Sequence, residues 1–301
     1  TIERKRVAWL WEGRFPLGKL TQLTGEGGVG KSMLTCYLAA RITRNEPLPD
    51  GSDVLTGDVL FIAGEDGAED TITPRLDAAG ADSDHVFLIK GPIPPGAKYA
   101  TAINLQKHIL KIDDLLTKYP NVRMIVIDPV MDYLGDTNSY KDTEVRPLLS
   151  RLREVAEEHN VAVILINHLG KQGKGKNKSL GSVAFRDLCR VEMRVIESPD
   201  DEGLKLFGSV KNNLADPKTL AYRIQGHDNG AGFAVWEEGD FDVSILDVED
   251  DNPQKQTARA DAEAWLLNRL SEGAVKSADL LEEANRNQIK KRTLERAKSS
   301  L

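Results

Sequence analysis

Chemistry-bearing residues concentrate first in Gly25, Glu26, Gly27, Gly28, Val29, Gly30, Lys31 and Ser32, which satisfy the spacing G-x-x-x-x-G-K-[ST]. Glycines allow backbone amides to turn inward around phosphate oxygens, and a helix opening at Lys31 would add positive potential. Lys31 would neutralise the β- and γ-phosphates of ATP, and Ser32 would ligate Mg2+. Ile125-Val-Ile-Asp128 is an apolar run closed by an acid, suited to holding a magnesium-bound water through Asp128. Phe61-Ile-Ala-Gly-Glu65-Asp66 closes another such run. Glu65, with Asp66 as competitor, could polarise a water that attacks the γ-phosphate; the plainer alternative is a loop carboxylate capping the next helix. Ile164-Leu-Ile-Asn167-His168 ends in two polar groups that could contact the γ-phosphate and register its loss. For His168 the plainer alternative is a hydrogen-bonded structural histidine.

These residues need elements to hold them. Apolar runs at Leu20–Thr24, Asp58–Ala63, His85–Ile89, Val122–Ile127 and Val161–Ile166 predict strands. Helical periodicity falls between them, at Lys31–Arg44, Glu69–Ala79, Leu105–Lys118 and Val145–His159. Strands alternating with amphipathic helices mean βαβ units and a mostly parallel sheet covered on both faces. After Asn167 the texture changes. Gly170 to Lys178 carries Lys171, Lys174, Lys176 and Lys178 with three glycines and nothing apolar, which predicts a mobile loop. Its lysines could neutralise nucleic-acid phosphates without reading sequence, or could simply be solvated. Leu188–Ile196, Leu204–Lys211, Leu220–Ile224 and Gly232–Trp236 predict antiparallel additions at the sheet edge. An acidic stretch at Asp247–Asp251 separates a main domain over 1–250 from a helical appendage over 255–301. The appendage has ten Lys/Arg against seven Asp/Glu, a balance of +3 that leaves −10 on the rest of a chain whose net charge is −7. Its three short helical patterns could form a helix-turn-helix-like unit, partial because no room remains for a β-wing, or a packing appendage between subunits.

Those elements, in this order, resemble the RecA superfamily of P-loop NTPases; ordinary AAA+ proteins and small GTPases arrange the same parts differently. More narrowly, the chain looks like the RepA-type replicative DNA helicases of plasmids and phages. The resemblance rests on Trp9-Leu-Trp-Glu-Gly-Arg-Phe-Pro-Leu-Gly-Lys-Leu, the phosphate loop, Glu65-Asp66-Gly-Ala-Glu-Asp-Thr, Pro74-Arg-Leu, Asp128-Pro129, Asn167-His168 and Lys211-Asn-Asn, and covers about residues 7–236. It implies a ring, usually of six subunits, with ATP at the interfaces and the lysine loop facing a channel that takes single-stranded DNA. It also implies a cation supplied by the neighbouring subunit. Lys211 and Arg223 are the candidates, with Arg186 and Arg190 in reserve, and a solvated edge-strand charge is the plain alternative for each.

Composition narrows the classes. With 301 residues, 40% hydrophobic and 29% charged, the chain suits one large domain plus an appendage. No apolar run reaches the ~18 residues of a bilayer span. No charged-then-apolar leader opens the sequence, an expectation against secretion. Two cysteines exclude a disulfide framework and favour a reducing cytoplasm. The net charge of −7 excludes a globally basic nucleic-acid binder and leaves a local basic patch open. The resulting expectation is a Mg-ATP hydrolysing ring that binds single-stranded DNA, best matched to a replicative helicase, possible contact with other replication proteins included. Two rivals stay open: a DNA-binding ATPase without unwinding activity (recombinase, loader or recruitment factor), and a KaiC-like signalling ATPase that binds no DNA. The acid assignment is directly testable. Glu65→Gln should keep ATP binding and slow turnover by about 10²–10⁴, measured by phosphate release. The same result from Asp66→Asn, with Glu65→Gln unaffected, would exchange the two acids.

Overall fold

The computed structural model describes residues 6–63, 68–91, 103–169 and 181–249, then 253–271 and most positions between 273 and 298. It divides into two compact units, Thr1–Leu246 and Asp247–Leu301. Strands are β1 (Trp9–Trp11), β2 (Phe15–Pro16), β3 (Leu20–Gly25), β4 (Asp58–Ala63), β5 (Val86–Leu88), β6 (Val122–Asp128) and β7 (Ala162–His168). The later four are β8 (Val191–Glu197), β9 (Leu204–Asn212), β10 (Leu220–Gly226) and β11 (Gly232–Trp236). Helices are α1 (Lys31–Arg44), α2 (Thr73–Ala79), α3 (Leu105–Lys118), α4 (Asp142–His159), α5 (Val183–Leu188) and α6 (Ile245–Glu249), followed by α7 (Pro253–Ser271) and α8 (Ser277–Arg286). No helix among the described residues is long and apolar enough to cross a membrane.

The first unit is an α/β structure around a nine-stranded sheet of order β11-β10-β9-β8-β3-β7-β6-β4-β5. The stretch from β5 through β8 is parallel, and β9, β10 and β11 continue it antiparallel. Because successive side chains leave a strand on opposite faces, each apolar run feeds two cores at once. Val59, Phe61, Val126, Ile164 and Leu23 pack on one face with Leu34, Leu38 and Ile42 of α1. Leu60, Ile62, Ile125, Ile127, Val163 and Leu165 pack on the other with helices α3, α4 and α5. The expected stripe of Leu105, Ile109, Ile112 and Leu116 is the buried side of α3. Asn104 caps that helix, accepting from the Lys107 amide at 3.2 Å.

Several boundaries differ from the sequence reading. The strand read over Leu188–Ile196 starts only at Val191, since Leu188 is the last residue of helix α5, and β8 pairs with β3 in parallel, not as an antiparallel addition. Only β9 to β11 extend the sheet antiparallel. The reason is tertiary: α5 is a crossover helix of six residues, too short to leave a periodic signal. Helix α4 starts at Asp142 instead of Val145, because Asp142 and Glu144 favour its positive N-terminus. The helix expected over Glu69–Ala79 opens with a π-type turn at Ala68–Ile72 before α2.

The aromatic lead-in has a defined place. β1 and β2 pair as a hairpin apart from the main sheet. Trp11, fully buried, lies 5.6 Å from Phe207 and 5.7 Å from Trp236 between ring centroids. Trp236 also meets Tyr37 of α1 at 5.6 Å and Tyr222 at 5.0 Å. This cluster fastens the antiparallel strands to the helix that follows the phosphate loop. In the second unit, Ala262, Leu266, Leu280, Ala284, Leu294 and Ala297 form a separate small core, and Arg269 grips Glu283 with two hydrogen bonds.

At the start of β4, Asp58 bonds the His85 ring at 2.6 Å, pinning the approach to edge strand β5. The hydrogen bond to Asp58 raises the His85 pKa above its ordinary 6.5. A raised folded value means that the contribution to stability is complete below the unfolded value and fades as pH climbs through the folded one. Melting temperature should therefore decline from about pH 6.5 upward in the parent, and His85→Gln should lack that component of the decline.

Candidate functional site

The phosphate loop leaves β3 at the C-terminal edge of the sheet and enters α1. Two glycines are forced by geometry. Gly30 has φ 98°, and a Cβ there would stand 2.9 Å from Ile224 Cδ1 of β10. At Gly25 a Cβ would stand 2.6 Å from the Val195 carbonyl oxygen of β8. Either substitution is overpacked, at a cost of about 1–3 kcal/mol. The Tyr222 hydroxyl donates to the Gly30 carbonyl at 3.3 Å, tying the loop to the antiparallel strands.

Lys31 is 5% exposed. Its ammonium donates to the carbonyls of Gly25 at 3.0 Å and Glu26 at 2.8 Å. An ammonium has three donors, so a further one is suited to a phosphate oxygen. Burial lowers its pKa to about 8, with Asp128 and Glu26 opposing the shift. The Ser32 hydroxyl donates to Asp128 Oδ2 at 2.6 Å, which brings the two residues expected to serve magnesium into one contact. Among the described residues no group of three or more His, Cys, Asp and Glu side chains converges on a metal. The donor set at this point is a hydroxyl and a carboxylate, which suits a hard cation that keeps several waters and shares phosphate oxygens.

A cavity of about 250 Å³ opens beside these groups, lined by Gly28, Gly30, Lys31, Ser32, Met33, Ala63, Ile72, Arg75, Asp128, Pro129 and His168. His168 ends β7 beside Gly25 in the parallel register, so the sheet brings Lys31, Ser32, Asp128 and His168 together from three adjacent strands. Glu65 and Asp66 follow Ala63 and lie outside the described residues, as do Lys171, Lys174, Lys176 and Lys178. Arg75 and Met33 are cavity residues that motif reading missed. Arg75 had a signal in Pro74-Arg-Leu, whereas Met33 reads as an ordinary helix residue.

Lys211 and Arg223 do not line this cavity. The Lys211 ammonium, half-buried on β9, donates to the carbonyls of Arg186 and of Cys189, the latter at 2.9 Å. Burial lowers its pKa. Arg223 on β10 bonds Glu237 at 2.9 Å, the Glu202 carbonyl at 3.1 Å and the Asp201 carboxylate. Arg186 and Arg190 flank the end of α5. Both cysteines are buried and neither forms a disulfide; burial pushes the Cys189 thiol up to about 12.

With the loop, the acid-terminated strand and the cavity in place, comparison with known proteins gives the family. A protein-family model described as AAA domain matches residues 2–174. The chain belongs to this family, with the mixed α/β core of a RecA-like P-loop ATPase. It is also similar to proteins named DNA repair protein RadA. The relative from Halalkalibacterium halodurans is 24% identical over 156 residues, 52% of this chain and 29% of that protein. Those from Streptococcus pneumoniae and Streptococcus pyogenes serotype M6 are 24% and 26% identical over the same share of this chain, and 31% and 29% of their own lengths. The matched stretch thus spans under a third of each of these relatives.

The Lys31 environment generates a pH expectation. Only the protonated ammonium attracts phosphate, so nucleotide affinity should weaken as pH rises through about 8. Titration of ATP binding by fluorescence across that range checks it, and a flat profile would separate Lys31 from the phosphates.

Proposed function

We propose that this chain binds and hydrolyses Mg-ATP as a RecA-like ATPase, acts on single-stranded DNA and assembles as a ring with the site between subunits. The observation that carries the nucleotide part is the Lys31–Ser32–Asp128 arrangement at the head of a cavity that also takes in His168. In this reading the loop amides and Lys31 hold the β- and γ-phosphates. Ser32 would ligate magnesium and Asp128 would hold one of its waters; when bound, the metal would offset phosphate charge. Glu65 orients and deprotonates the attacking water, and His168 contacts the γ-phosphate edge. Lys211 or Arg223 acts on the neighbouring subunit's site, which requires either to leave its present partners.

The DNA part is supported by the names of the RadA relatives and by the lysines at 171, 174, 176 and 178. The resemblance to RepA-type proteins favours a replicative helicase as the finer reading. A second reading, a DNA-binding ATPase that does not unwind, fits the similarity to proteins named DNA repair protein RadA equally well. Strand displacement on forked DNA separates them.

Lys31→Ala should abolish ATP binding; near-normal affinity would sink the phosphate-loop reading. Replacing the four loop lysines by alanine should leave basal hydrolysis intact and remove stimulation by single-stranded DNA. It should also flatten the slope of log affinity against log salt by about 3, at about 0.7 per phosphate contact. An unchanged slope with normal stimulation would leave DNA binding, if present, to another surface.

A further inference from the structure

Behind the phosphate loop lies a polar layer of which the motifs account for Asn167 alone, and Asn167 is buried there and does not line the cavity. Gln22 and Thr24 of β3, Asn167 of β7, and Glu192 and Arg194 of β8 are all buried, Arg194 completely and Glu192 to within 1%. Strand alternation puts them on the face otherwise filled by Leu20, Val163 and Leu165. The register aligns Thr24 with Asn167 on one side and Arg194 on the other, and Glu192 with Lys211 of β9. The Thr24 hydroxyl donates to Glu192 Oε1 at 3.0 Å and accepts from Arg194 Nε at 2.9 Å. Arg194 Nη2 closes the cluster on Glu192 Oε1 at 2.6 Å.

Such a layer is poorly explained by stability. A buried ion pair is commonly matched or exceeded in stability by apolar residues of similar volume. Gln22, fully buried beside Glu192, has neither amide atom hydrogen-bonded among the described residues. Position supplies the better account. Thr24 is the last residue before Gly25, whose carbonyl holds the Lys31 ammonium. One residue beyond Arg194, the Val195 carbonyl stands where a Cβ on Gly25 would be. Asn167 precedes His168, and Lys211, opposite Glu192, holds the end of α5. The layer thus runs across three neighbouring strands, directly behind the phosphate loop and His168, without lining the cavity itself.

We propose that Thr24, Glu192 and Arg194 are positioning residues for ATP hydrolysis: they fix the root of the phosphate loop against β8 so that Lys31 and His168 keep their alignment on the γ-phosphate. This rests on the ATPase reading above. Their removal leaves the loop's own phosphate donors in place, so it should disturb alignment more than binding.

The test uses the full chain and three measurements: melting temperature, ATP dissociation constant and kcat. Glu192→Met with Arg194→Leu replaces the pair by apolar side chains, and Thr24→Val removes the hydroxyl at constant shape. Both should remain folded, lower kcat by about 10²-fold and change ATP affinity by less than about threefold. Thr24→Ser should restore kcat. Folded variants with unchanged kcat would overturn the proposal, as would an affinity loss as large as the kcat loss. If the double variant fails to fold, the Thr24→Val and Thr24→Ser pair decides alone. A parent protein that binds no ATP would instead overturn the ATPase reading, so the two failures are distinguishable.

Discussion

A lysine ammonium that is 5% exposed must find oxygens where water is scarce, and much of this structure follows from where they come from. The Lys31 donors meet the carbonyls of Gly25 and Glu26, so the backbone that holds the charge is the loop that would hold the phosphate. That backbone can be placed only if its root is fixed. β3 supplies the root by lying between two parallel neighbours, β7 and β8, in the interior of the nine-stranded sheet. Asp128 reaches the same point from β6, next in order beyond β7, and meets Ser32 at 2.6 Å.

The later antiparallel strands shape the same site from outside the phosphate-loop motif. Ile224 excludes a side chain at Gly30, and Tyr222 bonds the Gly30 carbonyl. Both depend on β10 being held against α1, which the cluster of Trp236, Tyr222, Tyr37 and Trp11 accomplishes. Aromatic rings bury large areas in few residues, so β1, β10, β11 and α1 can be joined at one place. The family match ends at residue 174, yet these strands lie beyond it and complete one wall of the loop.

The proposed division of labour between subunits has a physical requirement. Lys211 holds two carbonyls at the end of α5, and Arg223 is engaged by Asp201 and Glu237. An acidic partner keeps an arginine charged and oriented at modest cost while it is partly exposed, so exchange to a phosphate is feasible. Releasing Lys211 asks more, since two part-buried carbonyl acceptors would then need other donors.

Sequence alone determined the parts whose signal is local. The glycine spacing of the phosphate loop, the apolar run ending at Asp128 and the stripe on α3 were each legible because chain neighbours carry the whole pattern. Residues that meet through space were not. Met33 looks like any helix residue until the fold turns it to the cavity, and α5 is too short to show a period. The parallel pairing of β8 with β3 depends on a crossover whose direction strand composition does not encode. Glu192 and Arg194 alternate with Val191, Met193 and Val195 in a segment expected among the antiparallel edge additions, where alternation gives no sign of burial on both faces. Only the sheet order, which sets β8 beside the phosphate-loop strand, decides that they are buried and bonded to Thr24.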